Sequence, residues 1–217
     1  MAKLYFRYGA MNSGKSTALL QAAYNYEERG HRVLIAKPST DTKGDRSIVS
    51  RLGVVRDVDF LVGPDQGLRD VFLTEREAVR ASTDQTGDLL GDGFGASAGD
   101  VSCLLIDEAQ FLTAEQVDDA LRIALIDDVP VLAYGIRTDF LTAAFPGSGR
   151  LLEVAHSLEE LKTICRCGRK AIFNPRLVNG RFVFDGDQVA IDGDEVTYEA
   201  LCGRCYLEES DGQLSSR

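Results

Sequence analysis

The sequence predicts an α/β protein in which a parallel sheet is flanked by helices and followed by a small β-rich module near the C-terminus. Three observations predict this fold class. Apolar runs that suit buried strands alternate with segments of helical spacing, the pattern of a parallel sheet. A glycine-rich phosphate-binding motif lies between the first strand and the first helix. After about residue 163, short β-prone runs separate two close cysteine pairs.

Composition narrows the class of protein. A chain of 217 residues, 44% hydrophobic and 27% charged, suits one medium globular domain with a small appendage. The net charge of −10 argues against a nucleic-acid surface, which should be basic. We find neither a signal peptide nor an apolar run of membrane-spanning length, so we expect a cytoplasmic protein with no membrane partner.

The first motif is a complete G-x-x-x-x-G-K-[ST] sequence, here called the P-loop. It consists of Gly9, Ala10, Met11, Asn12, Ser13, Gly14, Lys15 and Ser16. An apolar strand at 4–8 precedes it, and a helix at 16–29 that stops at Gly30 follows it. Backbone N–H groups at a helix N-terminus hold anionic phosphate, while the lysine reaches the outer phosphates and the serine ligates Mg²⁺. The motif predicts binding of a nucleoside triphosphate with Mg²⁺.

The remaining elements follow from apolar runs and helix signals. Strands are predicted at 32–37, 54–62, 101–106 and 129–134, and a helix at 66–82. The capping-box pattern Thr113–Gln116 predicts a helix at 114–126, and the similar pattern Ser157–Glu160 predicts a second, short helix. Residues 84–100 are rich in Gly and Asp and predict an exposed insertion, for which a solvated linker is the simplest interpretation.

Two acids follow the apolar strand at 101–106. Asp107 is the expected Mg²⁺-side carboxylate, because a buried strand that ends in an acid holds the metal in P-loop enzymes. Glu108 is the expected general base on an attacking hydroxyl or water. The alternative is that both acids only cap the next helix.

Four of the five cysteines form two close pairs, and we expect them to bind a structural zinc ion. The pairs are Cys165/Cys167 and Cys202/Cys205, and Cys103 is expected to be an inert core residue. Four free thiols, or a two-cysteine site completed by other ligands, are the alternatives. His31 and His156 are poor candidates for that completion.

Several strings together resemble the type II thymidine kinases. These are the P-loop, Asp-Glu-Ala-Gln-Phe at 107–111, Tyr-Gly-Ile-Arg-Thr-Asp-Phe at 134–140, Phe-Pro-Gly at 145–147 and Tyr-Glu-Ala-Leu-Cys-Gly-Arg-Cys-Tyr at 198–206. The resemblance implies a RecA-like P-loop kinase domain at 1–160 and a zinc-binding, substrate-closing domain at 161–217. It implies transfer of the ATP γ-phosphate to the 5′-hydroxyl of thymidine, with deoxyuridine as a further acceptor, in nucleotide salvage.

The same resemblance implies roles for individual residues. Lys15 and Glu108 are the implied catalytic residues, and the implied acceptor site consists of Met11, Phe111, Phe140, Ile191 and Tyr198. Core packing is an equally good interpretation of Phe140. Family members are typically tetramers inhibited by dTTP. The chain departs from the family at Cys-x-Cys, where Cys-x-x-Cys is expected, and around Ile191–Gly193.

Two other classes of function stay open at this point. One is a RecA-like, zinc-containing ATPase that acts on DNA, in which the same carboxylates activate water. The acidic net charge speaks against it. The other is a regulatory nucleotide-binding module without catalysis. Arg51 and Arg137 are further candidates for phosphate contacts, although surface ion pairs explain them equally well.

Overall fold

A computed structural model of the chain describes residues 1–40, 46–85, 100–186 and 196–215. The strands are β1 (Leu4–Tyr8), β2 (Arg32–Pro38), β3 (Ser47–Val49), β4 (Val55–Asp57), β5 (Phe60–Val62), β6 (Val101–Ile106), β7 (Val131–Gly135), β8 (Ser157–Glu160), β9 (Arg176–Val178), β10 (Arg181–Val183) and β11 (Val196–Tyr198). The helices are α1 (Lys15–Glu27), α2 (Leu68–Gln85), α3 (Ala114–Leu125), α4 (Pro146–Val154) and α5 (Gly203–Glu209). A 3₁₀ turn spans Ala109–Phe111.

Six strands form the main sheet, in the order β5-β2-β6-β7-β1-β8. Every neighbouring pair in it is parallel. The parallel α/β sheet predicted from the alternating pattern is therefore confirmed. All carboxyl ends lie on one edge, so the P-loop after β1 and the acids after β6 share that edge, with β7 between their strands.

The core has two layers, one on each face of the sheet. Side chains along β6 alternate between them: Leu104 and Ile106 join α2, α3 and α4, whereas Cys103 and Leu105 join α1. This is the period of two that a strand imposes. Cys103 is fully buried, as predicted, and burial raises the pKa of its thiol to about 12.

The predicted capping box at α3 is confirmed. Thr113 Oγ1 accepts from the Gln116 N–H, and Gln116 Oε1 accepts from the Thr113 N–H. The second capping-box prediction is wrong, because residues 157–160 form β8 and pair with β1. A strand edge that offers free hydrogen-bonding groups outweighs a four-residue pattern with no apolar helical run after it.

Smaller elements complete the chain. Strands β10, β9 and β11 form an antiparallel sheet beside α5, as the predicted β-rich module requires. The predicted strand at 54–62 is two short strands, β4 and β5, and β3 pairs with β4. Residues 187–195 of the β-prone stretch between the two cysteine pairs, and most of the acidic insertion at 84–100, lie outside the described residues. Within the described part of the chain, no helix is both long and apolar enough to cross a bilayer.

Candidate active site

The P-loop turns sharply between β1 and α1. Its backbone enters the left-handed region at Asn12, with φ +66°, and at Gly14, with φ +80°. Gly14 immediately precedes the first residue of α1, so the N-terminal N–H groups of that helix face the loop. A helix N-terminus that follows such a turn binds anions through those N–H groups and its positive dipole.

Gly9 and Lys15 fix the shape of the loop. A Cβ at Gly9 would lie 2.4 Å from the Leu161 carbonyl oxygen and 2.5 Å from Ser13 Oγ, so no larger residue fits there without a shift. Lys15 Nζ donates to the carbonyl oxygens of Gly9 and Ala10, at 3.2 and 3.1 Å. The ammonium group therefore lies over the loop, where it can meet a bound phosphate.

Asp107 lies close to Ser16, the last residue of the P-loop. Asp107 is 5% exposed, and its N–H donates to the Ala36 carbonyl oxygen at 3.0 Å. Both side chains line one small cavity of about 20 Å³, together with Lys37 and Glu108. A hydroxyl and a carboxylate are the oxygen donors that Mg²⁺ takes in nucleotide sites, so these residues fit a magnesium ion.

Glu108 has a backbone conformation that is rare for residues other than glycine, with φ 47° and ψ 40°. Such a conformation costs of order 1–3 kcal/mol and is frequent at functional sites. Glu108 Oε2 accepts a hydrogen bond of 2.7 Å from Gln110 Nε2. This hydrogen bond fixes one oxygen of the carboxylate against Gln110.

A cleft of about 640 Å³ is lined by the P-loop and by Glu108. Its size is in the usual range for small-molecule sites. The lining residues that could contact a nucleotide or an acceptor are Met11, Lys15, Ser16, Arg51, Glu108 and Ile136. Arg137 lines a separate small cavity, and its guanidinium lies 5.7 Å from the centre of the Tyr8 ring. Of the two arginines considered from the sequence, only Arg51 lines the cleft.

The aromatic residues expected at the acceptor site do not line this cleft. Phe111 packs edge-on against Phe145, with ring centres 5.6 Å apart. Phe140 is buried, and the Arg176 guanidinium lies 3.8 Å from its ring centre. Tyr198 Oη accepts from Arg176 Nε at 3.2 Å. Arg176 therefore joins two of the expected residues, and Ile191 lies outside the described residues.

The cysteine cluster, defined as Cys165, Cys167, Cys202 and Cys205, comes together in the C-terminal module. Its sulfur atoms lie within 4.8 Å of one another, and Cys167 Sγ is 3.6 Å from Cys202 Sγ. Four sulfurs at about 2.3 Å from a tetrahedral zinc lie about 3.8 Å apart, so the four thiols fit a structural zinc ion.

A glycine accommodates the one-residue spacer of the first pair. Gly168 has φ +84°, and its N–H donates to the Cys165 carbonyl oxygen at 2.8 Å. The Cys165 N–H in turn donates to the Arg169 carbonyl oxygen at 2.7 Å. The shortened spacing is therefore closed by a left-handed turn that brings both sulfurs into the cluster.

The thiols of the cluster perturb one another. The N–H of Cys205, with further help from the Cys167 thiol, lowers the pKa of Cys202 to about 6. Hydrogen bonding with the Cys167 thiol and burial raise the pKa of Cys205 to about 12. A cluster that already favours one thiolate suits a cation, since thiolate is the form that ligates metal.

Three residues near the site were not predicted from the sequence: Gln110, Asn174 and Arg176. Gln110 lies inside the Asp-Glu-Ala-Gln-Phe string, but nothing in its spacing indicated its contacts. Asn174 Oδ1 accepts from the Met11 N–H at 2.6 Å across 163 positions of sequence. Such a separation leaves no local signal. Arg176 is a single cation at the start of a short strand, and such a position indicates no function in the sequence.

Comparison with known proteins identifies the family. The family profile described as "Thymidine kinase" matches residues 2–60 and 70–206. The chain belongs to the thymidine kinase family. The thymidine kinase of Legionella pneumophila (strain Paris) is 44% identical over 219 residues, which cover 100% of this chain and 95% of that protein. The thymidine kinase of Ruegeria pomeroyi is 44% identical over 210 residues, which cover 96% and 95%.

A further relative, the thymidine kinase of Yersinia pestis, is 42% identical over 210 residues, covering 96% of each protein. Membership of the thymidine kinase family makes the chain an ATP-dependent phosphotransferase that uses Mg²⁺. The resemblance seen in the sequence motifs is therefore confirmed over nearly the whole chain.

Proposed function

We propose that the protein transfers the γ-phosphate of ATP to the 5′-hydroxyl of thymidine, giving dTMP, with deoxyuridine as a second acceptor. One observation carries the proposal: the cleft lined by the P-loop Lys15 is also lined by Glu108, a carboxylate suited to remove a hydroxyl proton. The thymidine kinase relatives support the choice of acceptor.

In this proposal the P-loop and the edge of β6 bind the donor. Backbone N–H groups where the P-loop enters α1 hold the phosphates, and Lys15 contacts the outer ones. Ser16 and Asp107 hold Mg²⁺, which neutralises charge on the transferring phosphoryl group when bound. Glu108 accepts the proton of the 5′-hydroxyl while the hydroxyl oxygen attacks the γ-phosphorus. The bond between the γ-phosphorus and the β,γ-bridging oxygen breaks, and that oxygen leaves as part of ADP.

The acceptor half of the site is formed by residues on both sides of the P-loop. We propose that Met11, Phe111 and Phe140 border the nucleoside, and that Ile191 and Tyr198 close over it. Arg176 supports this arrangement, because it holds Tyr198 through its hydroxyl and packs on Phe140. An aromatic site with backbone polar groups suits a pyrimidine, which has flat faces and a polar edge.

We propose a domain boundary after residue 160, with zinc held by the cysteine cluster in residues 161–217. The position of β8 supports it, because this strand is the last one of the parallel sheet. A homotetramer in the cytoplasm that is inhibited by dTTP, and that binds no nucleic acid, is the corresponding expectation. That expectation rests on the family resemblance and the net charge.

The test is an assay of ADP formation with ATP alone and with thymidine, deoxyuridine, deoxycytidine, deoxyguanosine or single-stranded DNA added. We expect turnover that depends on thymidine and, more weakly, on deoxyuridine. Lys15→Ala should abolish it, whereas Lys3→Ala, at an exposed lysine of the same strand region, should not. Hydrolysis stimulated by DNA, without nucleoside phosphorylation, would replace this proposal by the DNA-dependent ATPase.

A further inference from the structure

Gln110 is a buried polar side chain that contacts the Glu108 carboxylate. It is 2% exposed and lies in the 3₁₀ turn that follows Glu108. Its Nε2 donates to Glu108 Oε2 at 2.7 Å, and its Oε1 accepts from the Ile136 N–H at 3.2 Å. One amide therefore connects Glu108 to the residue after β7.

The orientation of this amide is forced. A backbone N–H can only donate, so the end of Gln110 that meets Ile136 must be the carbonyl oxygen. The NH₂ group must then face Glu108. Gly135 packs against the same amide, since a Cβ there would lie 2.7 Å from Gln110 Oε1. The space for Gln110 is thus limited by the end of β7.

A donor in this place fixes the position of the Glu108 carboxylate. One carboxylate oxygen, Oε2, is occupied, which leaves Oε1 to accept from an acceptor hydroxyl. The bond also opposes rotation of a side chain that projects from a strained backbone.

We propose that Gln110 is a positioning residue that fixes the Glu108 carboxylate in the place where it meets the acceptor hydroxyl. The proposal rests on the proposed function, in which Glu108 is the base. Other charged groups also act on Glu108: Lys15 and Arg51 line the cleft with it, and Asp107 and Lys37 line the adjoining small cavity.

Gln110→Glu is the decisive variant. A glutamate keeps the shape and the acceptor for the Ile136 N–H, but it places a second carboxylate against Glu108 in place of a donor. A carboxylate cannot donate a hydrogen bond, and like charges repel each other. We therefore expect kcat for thymidine at neutral pH to fall about 10- to 100-fold, while the KM for ATP changes less than about threefold.

Gln116→Glu is the matched control. Gln116 is equally buried, and its amide also bonds backbone groups, accepting from Thr113 and donating to Gly63 and Gln66. The control should lower thermal stability without a comparable loss of kcat for thymidine. If both variants lower kcat equally, the effect is structural and the positioning role is overturned.

Gly135→Ala reaches the same amide by another route, should Gln110→Glu fail to fold. The added methyl group displaces Gln110, so kcat should fall with little change in the KM for ATP. Unchanged kcat in the folded variants Gln110→Glu or Gly135→Ala would overturn the inference. Failure of the proposed function is distinct, because the unaltered protein would then phosphorylate no nucleoside in the parallel assay.

Discussion

The backbone N–H of Met11 donates a hydrogen bond of 2.6 Å to the side-chain oxygen of Asn174. Met11 lies in the middle of the P-loop, and Asn174 lies in the segment between the first cysteine pair and β9. Asn174 is 3% exposed. The C-terminal module therefore contacts the P-loop through the side-chain amide of Asn174. A structural change in that module can alter the P-loop through this hydrogen bond.

Asn174→Ala should weaken ATP binding. The variant leaves the Met11 N–H without its acceptor, which costs about 1 to 2 kcal/mol for a partly buried donor. If the whole loss falls on the bound loop conformation, the KM for ATP rises about 5- to 30-fold. Steady-state kinetics at saturating thymidine measure it, and Asn25→Ala, on the exposed face of α1, is the control. An unchanged KM for ATP would contradict the coupling.

Glu108→Gln should lower turnover by about 10²- to 10⁴-fold, as expected when a general base is lost. ATP binding should persist, because the P-loop is untouched and an amide oxygen can still accept from Gln110 Nε2. Turnover is measured with thymidine and binding by calorimetry. Glu115→Gln, at an exposed position in the first turn of α3, should be neutral. Near-normal turnover of Glu108→Gln would remove Glu108 from the base role.

The cysteine cluster should bind one zinc ion per chain. Cys205→Ser should lose the metal and lower the unfolding temperature, since a structural zinc contributes directly to folding. Metal analysis of the purified protein, together with thermal unfolding before and after chelation, measures both effects. Cys103→Ala is the control, because Cys103 is buried in the sheet and belongs to no metal cluster among the described residues. Protein that is stable and free of zinc would contradict the assignment.

Asp100 contributes to the pH dependence of the free energy of unfolding. Arg76 and then Arg80, by hydrogen bonds to both oxygens, hold the pKa of the Asp100 carboxyl well below its usual range. A lowered pKa stabilises the fold above the unfolded pKa of about 3.9, and the contribution disappears as the pH falls towards the folded value. Asp100→Asn should therefore lose about 1 to 2 kcal/mol of unfolding free energy at pH 7.

The difference in unfolding free energy between the unaltered protein and Asp100→Asn should shrink below about pH 4. Urea unfolding at several pH values measures it, with Asp65→Asn as the control at an exposed carboxylate before α2. A difference that stays constant down to pH 2 would show that the charge of Asp100 is not the source of its stabilising effect.

Five of the six strands of the main sheet were predictable because each is a short apolar run with a turn or an acid at its end. The run at 101–106 is such a case, and its final acids follow at the carboxyl edge. Helix α4 was missed, because two glycines lower its propensity and Pro146 at its first turn was the only start signal. The error at 157–160 has the same origin: a local pattern cannot show that β1 offers a free edge.

The residues that support the site were much harder to predict than the residues within it. The P-loop, Asp107, Glu108 and the cysteine pairs have residue types and spacings that chemistry prescribes. Asn174 and Gln110 act through contacts with backbone groups, and any hydrogen-bonding side chain could have occupied their positions as far as the sequence shows. Their roles become visible only when β7 and the C-terminal module are placed beside the P-loop.

The order of strands in the sheet has a consequence for synthesis on the ribosome. Among the described residues, strand β1 pairs with β7 and β8 alone, and both are made more than 120 residues after it. At 5 to 20 residues per second, the first strand waits roughly 6 to 25 s for its first sheet neighbour. The nascent P-loop therefore cannot take its final form until β7 has emerged, and the apolar run at 4–8 is exposed to chaperones for most of translation.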